Sequence, residues 1–189
     1  METAPLALGS PTEGLHMALG TLALRLTVGG FFAAHGLQKL RGSFDGPGIE
    51  GTTGMMRSLG IRPARRNAVA VAWSETAGGA ALALGAATPL AAAALTATMT
   101  TAIRTVHGKN GPWNAKGGYE FNAVLIAAVL AATADGPGPV SIDALVGKAR
   151  WGALTGLLAV AGGVAASYAV TELSKRSPEE DADEGGPSA

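Results

Sequence analysis

Apolar residues in this chain come in long runs, separated by short polar segments carrying Gly, Pro and basic residues. The runs cover residues 15–40, 68–87, 90–106, 119–133 and 151–170. A helix rises 1.5 Å per residue, so about 20 apolar residues cross a hydrocarbon core about 30 Å thick. The pattern predicts an all-α, polytopic transmembrane protein. A four-helix bundle would occupy residues 15–134, a connecting loop 135–150, and a fifth, C-terminal transmembrane helix 151–171. Residues 1–14 read as a short polar N-terminal tail, and the acidic, Pro- and Gly-bearing residues 172–189 as a disordered tail.

Polar punctuation refines these elements. Within the basic loop 41–66, residues 52–59 (TTGMMRSL) predict a short interfacial or re-entrant helix, with a Thr capping its start and Gly60 ending it. The pair Thr88-Pro89 reads as an N-cap followed by Pro at the first helical position, so the second and third spans form a tight hairpin. The hydroxyls of Thr96, Thr98, Thr100 and Thr101 in the third span can bond carbonyls one turn back. Residues 141–146 predict a surface helix capped by Ser141. In the fifth span, Gly152, Gly156 and Gly163 suit close lateral packing, which also allows a homo-oligomer.

Composition agrees with the pattern. Of 189 residues, 48% are hydrophobic and only 15% charged, against about 25% charged in soluble domains. The formal net charge is zero, so there is no footprint for nucleic acid. The chain has no cysteine, which excludes disulfides, thiolate metal sites and any thiol relay within it. Residues 1–14 lack basic residues and a small-x-small cleavage site, so no cleavable signal peptide is expected. Of the 14 Lys and Arg, eleven fall on the side shared by the loops after the first and third spans and the C-terminal flank. Basic loops stay in the cytoplasm, so a bacterial inner-membrane protein with its N-terminus outside and C-terminus inside is expected.

Charges inside the apolar runs carry the candidate chemistry. Glu75 is the single charge in residues 68–87, roughly 10 Å in from the start of that run. A carboxylate there should face protein, water or a partner charge. Arg25, near the middle of the first run, should likewise point inward, and Arg25, Phe32, His35 and Lys39 share one broad helical arc. Alternating spans bring His35 and Lys39, Glu75, Arg104 and His107, and Tyr119, Glu120 and Asn122 into the same half of the bilayer. The expectation is a shallow polar cavity open to one side, with Glu75 paired to Arg25, His35 or Arg104 and Glu120 to another base. Two readings of Glu75 remain: a proton-transfer group, or a carboxyl held only for packing and helix register. Lys39 alternatively snorkels to the boundary, and His35 alternatively packs as an ordinary core residue. No HExxH, GxGxxG or GxSxG motif dictates a reaction. The histidines His16, His35 and His107 are a weak metal or haem signal, and no metal site is expected.

The chain resembles the DoxX family of small bacterial membrane proteins. The resemblance rests on Arg25 with residues 31–40 (FFAAHGLQKL), then 51–63 (GTTGMMRSLGIRP), 75–85 (ETAGGAALALG) with Thr88-Pro89, and 109–122 (KNGPWNAKGGYEFN), and covers roughly residues 20–135. It implies a membrane subunit linked to redox systems, some of whose relatives work with soluble oxidoreductase partners. It carries over His35, Lys39, Glu75, Tyr119, Glu120 and Asn122 as positions of interest. The reading that follows is an integral membrane subunit of a redox system, with Glu75 and His35 in the catalytic role. His35, Lys39, Arg104, Tyr119, Glu120 and Asn122 would hold a quinone headgroup. Two alternatives stand beside it: a proton-coupled carrier of a small solute, and a non-catalytic scaffold anchoring soluble redox enzymes through the basic loop 41–66.

Overall fold

A computed structural model describes residues 11–177 of the chain. They form seven α-helices: α1 (Pro11–Arg41), α2 (Gly48–Ser58), α3 (Ala64–Leu84), α4 (Thr88–Ala102), α5 (Glu120–Ala134), α6 (Ile142–Leu145) and α7 (Ala153–Arg176). No strand occurs among the described residues. Of the segments read from the sequence as tails, residues 11–14 open α1 and 172–176 close α7. Residues 1–10 and 178–189 lie outside the described residues.

The long helices pack in a cycle. α1 lies along α3, α3 against α4, α4 against α5, and α5 returns to α1. α7 lies outside this cycle, against α4 and α5, while α2 sits on α1 and α3. Inside the cycle, Val28, Phe32, Leu82, Ala92, Leu95 and Val129 form one core cluster. Under α2, Met56, Ile61, Ala64 and Ala68 form a second. By length and composition two helices are able to cross a membrane, Ala18–Arg41 and Ala153–Arg176. α3 carries Arg65, Arg66 and Asn67 in its first turns and Glu75 further along, and α5 has only 15 residues, so neither meets that measure alone.

α1 and α3 touch backbone to backbone. A Cβ placed on Gly36 would lie 2.3 Å from the Thr76 nitrogen, and one on Gly79 would lie 2.6 Å from the Gly29 oxygen. Only hydrogen fits at these positions. This contact sets Lys39, one turn beyond Gly36, against Glu75, the neighbour of Thr76.

Several helix ends differ from the sequence expectation, each for a local reason. α2 begins at Gly48, ahead of the Thr pair, and Thr52 donates to the Gly48 carbonyl at 2.8 Å instead of capping the start. Gly60 (φ +68°) follows its end, with its N–H on the Arg57 carbonyl. α3 stops at Leu84 because Gly85 adopts φ +61°, and Ala86 and Gly85 donate back to Ala81 and Leu82, the closure a left-handed glycine permits. At α4 the cap residue is Ala87, not Thr88; the free N–H groups there go to Asp143, 55 positions further on. α4 then widens into a π turn, Ile103–His107. Ser141 caps α6 as its sequence suggests, accepting from the Ala144 N–H at 3.2 Å.

Candidate functional site

The cycle of helices encloses a cavity of about 690 Å³. Its walls are mostly apolar: Val28 and Phe32 from α1, Met56 from α2, Val71 from α3, Met99 from α4 and Leu125 from α5. Polar groups enter from five elements. They are His35 and Lys39 on α1, Glu75 on α3, Thr98 on α4, His107 on the π turn and Asn122 on α5.

Glu75 is 3% exposed, and its carboxylate accepts a hydrogen bond from the Lys39 ammonium in a direct ion pair. The sequence expectation of Arg25, His35 or Arg104 as partner is corrected here. Gly36 allows α1 so close to α3 that Lys39, not the histidine one turn earlier, reaches the acid. Lys39 keeps 21% of its side chain exposed, so the pair bridges the interior and a wetter edge. His35 is exposed, and its Nδ1 lies 2.9 Å from the Gln38 Oε1. The His107 Nδ1 lies 2.8 Å from the Gly117 carbonyl. With Nδ1 donating to these oxygens, each ring keeps Nε2 as a free acceptor. Asn122 is buried and donates to the Met99 sulfur at 3.3 Å.

Three residues expected at the cavity lie elsewhere. Arg104 turns away to α7, where it donates to the Thr171 hydroxyl at 2.7 Å and the Ser167 carbonyl at 3.2 Å, with its guanidinium 3.6 Å over the Tyr168 ring. Glu120 pairs with no base among the described residues; its carboxylate accepts the Asn114 N–H at 2.6 Å and closes the preceding loop. Tyr119 is not a cavity residue, and its backbone N–H ties to the Gly111 carbonyl. The signal for the Arg104 contact lay in the fifth apolar run. Its small-residue face of Gly156, Ala159 and Gly163 continues as Ser167, Thr171 and Ser174, all buried.

Arg25 belongs to a second buried cluster. It is fully buried and donates to the Ala83 carbonyl at 3.2 Å and the Val140 carbonyl at 2.7 Å, closing the end of α3. Beside it, Asp143 gathers four donors: the N–H groups of Ala87 and Thr88, the Thr88 hydroxyl and the Trp151 indole, at 2.8 to 3.1 Å. Burial alone would push the Asp143 carboxyl up. The hydrogen bonds from Thr88, Trp151 and Ala87 outweigh that and hold it below its ordinary value. Arg25 and Lys39 are fourteen residues apart on α1, about 21 Å, so the two clusters sit well apart along the helix.

Residues 20–108 match the DoxX family model. This stretch is a DoxX domain. It spans α1 from Gly20 through α4 and its π turn, and so contains Arg25, His35, Lys39, Glu75 and His107. The cavity wall on α5, with Phe121 and Asn122, lies beyond the matched DoxX residues. DoxX domains mark membrane proteins, often linked to redox-related systems. No curated protein and no solved structure matches the chain. Among the described residues, no group of three or more His, Asp or Glu is placed to hold a metal ion.

Proposed function

We propose that this protein is an integral membrane subunit of a redox system and that its cavity binds a quinone headgroup. In this reading α1, α3, α4 with its π turn, and α5 cross the inner membrane as a four-helix bundle, with α7 as a fifth span. The N-terminus lies outside and the C-terminus in the cytoplasm. The observation that carries the reading is the Lys39–Glu75 pair set in the wall of an otherwise apolar cavity of about 690 Å³. That combination suits a ligand with a flat apolar body and a few polar atoms. Lys39 or Asn122 supplies a donor to a quinone oxygen. The Lys39–Glu75 pair holds one acidic proton, on the ammonium, and gives it up as the ring is reduced; Lys39 then regains a proton from the wetter edge. Two electrons and a second proton complete the quinol. The electrons come from a soluble oxidoreductase docked at the exposed basic groups of this end, among them Arg41, Arg57, Lys109 and Lys116.

A decyl-tailed benzoquinone titrated into the purified protein tests this. Binding to the folded state alone raises the unfolding free energy by about 2.7 kcal/mol at a hundredfold excess over Kd, so a rising, saturable Tm is expected. An unchanged Tm overturns the quinone assignment. The second reading, a proton-coupled carrier, is favoured by the same buried acid–base pair, and solute uptake into vesicles holding only this protein selects it.

A further inference from the structure

The cavity opens sideways as well as toward its polar end. Thr27, Phe31 and His35 are exposed at the surface of the bundle, and all three also line the cavity. Four residues apart, they form a single stripe on α1. Across from them on α5, Phe121 is exposed and lines the cavity too, and Leu125 continues that wall one turn on. Phe31 is 64% exposed and Phe121 53%. A side chain that is both cavity wall and outer surface stands at an opening. Here the opening is a slit between α1 and α5, with His35 toward its polar end and Phe31 deeper along the helix. α1 and α5 are also the least closely packed neighbours in the helix cycle.

We propose that the cavity is loaded from the bilayer through this slit, and that its ligand is a lipid-borne amphiphile. The ligand's polar head reaches Lys39 and Glu75 while its long apolar tail runs out between Phe31 and Phe121 into the hydrocarbon. The inference rests on the membrane reading above and deepens it. It assigns two aromatic residues outside the polar set as the gate, and it requires a ligand with a tail. Ridge-forming Phe side chains suit this, because they turn at little cost and present apolar surface to both lipid and tail.

The absence of native cysteine allows a test that needs no knowledge of the ligand. Met99 lines the cavity and is 9% exposed, so Met99→Cys places a single thiol inside. The full-length protein in lipid nanodiscs is labelled with either N-phenylmaleimide, which partitions into the bilayer, or a sulfonated maleimide confined to water. Leu158→Cys, on the exposed face of α7, calibrates the rates for a lipid-facing thiol, and Lys116→Cys for a water-facing one. The Met99→Cys thiol should follow the lipid-facing preference for the apolar reagent. Adding Phe31→Trp and Phe121→Trp should slow its labelling about tenfold, and Phe31→Ala should speed it, so the two changes move the rate in opposite directions. Equal labelling by both reagents, or an apolar rate indifferent to both Phe31 variants, overturns the lateral route. The quinone titration reads separately. No quinone stabilisation with gated labelling removes the quinone and keeps the slit, whereas quinone stabilisation with ungated labelling keeps the headgroup site and removes the slit.

Discussion

The two buried charged clusters use similar residues to different ends. At one, Arg25 and Asp143 are spent on backbone. The guanidinium ties the Ala83 carbonyl near the end of α3 to the Val140 carbonyl ahead of α6, and the carboxylate takes the first N–H groups of α4. Three chain segments distant in sequence are pinned there, and neither Arg25 nor Asp143 lines the cavity. At the other, Lys39 and Glu75 bond each other and border about 690 Å³ of space. A buried charge whose partners are helix ends fixes the fold. One whose partner is another mobile side chain, next to free volume, is available to a ligand.

Breaking each cluster should separate these roles. The largest effect is expected for Arg25→Met, which leaves the Ala83 and Val140 carbonyls and Asp143 without their cation. Losing one member of a buried charged set costs about 3–5 kcal/mol, so Tm should fall sharply while any quinone affinity of the folded fraction stays unchanged. A wild-type Tm for Arg25→Met would erase the distinction drawn here.

Asp143→Asn comes next, at about 2 kcal/mol, because charge-assisted bonds from four donors weaken together. The same group sets a pH dependence. Its folded carboxyl titrates below the ordinary value, so its stabilisation is complete above about pH 4 and drains away as pH falls through the lowered folded value. Thermal melts from pH 6 down to pH 3 should show the wild type losing more stability than Asp143→Asn. Parallel curves would mean that the carboxylate is not what holds α4.

The cavity pair follows, and its two losses should be unequal. Lys39→Met strands a carboxylate that is almost fully buried. Glu75→Gln leaves a lysine that can extend toward water. We expect about 2 kcal/mol for the first and about 1 kcal/mol or less for the second. Quinone stabilisation should disappear in both, although Glu75→Gln stays well folded. Full quinone response in a folded Glu75→Gln would leave the acid a packing role alone.

Much of the helical plan was legible in the chain because apolar run length and Gly/Pro punctuation are local properties. Ser141 as the cap of α6 and Gly60 after α2 follow from residues a few positions away. The placement of Glu75 and Arg25 inside the protein was equally legible, since a charge in an apolar run has nowhere else to go. Partner choice was not. Lys39 and Glu75 are 36 residues apart, and their meeting depends on a backbone contact at Gly36 that no periodicity announces. Arg104 read as a cavity base and instead crosses to Tyr168 and Thr171, because the π turn and the small face of α7 bring that helix within reach. The role of Asp143 was not legible either, because the fold lays the short helix α6 over the start of α4, 55 residues back in the chain.

By itself, then, the sequence determined the all-helical character, the apolar elements and the residues that must avoid lipid. Hydrophobicity and turn chemistry act on neighbours along the chain. Tertiary structure alone decided which charges pair, which merely close helix ends, and where an opening remains, because these depend on how nearly two helix axes can approach.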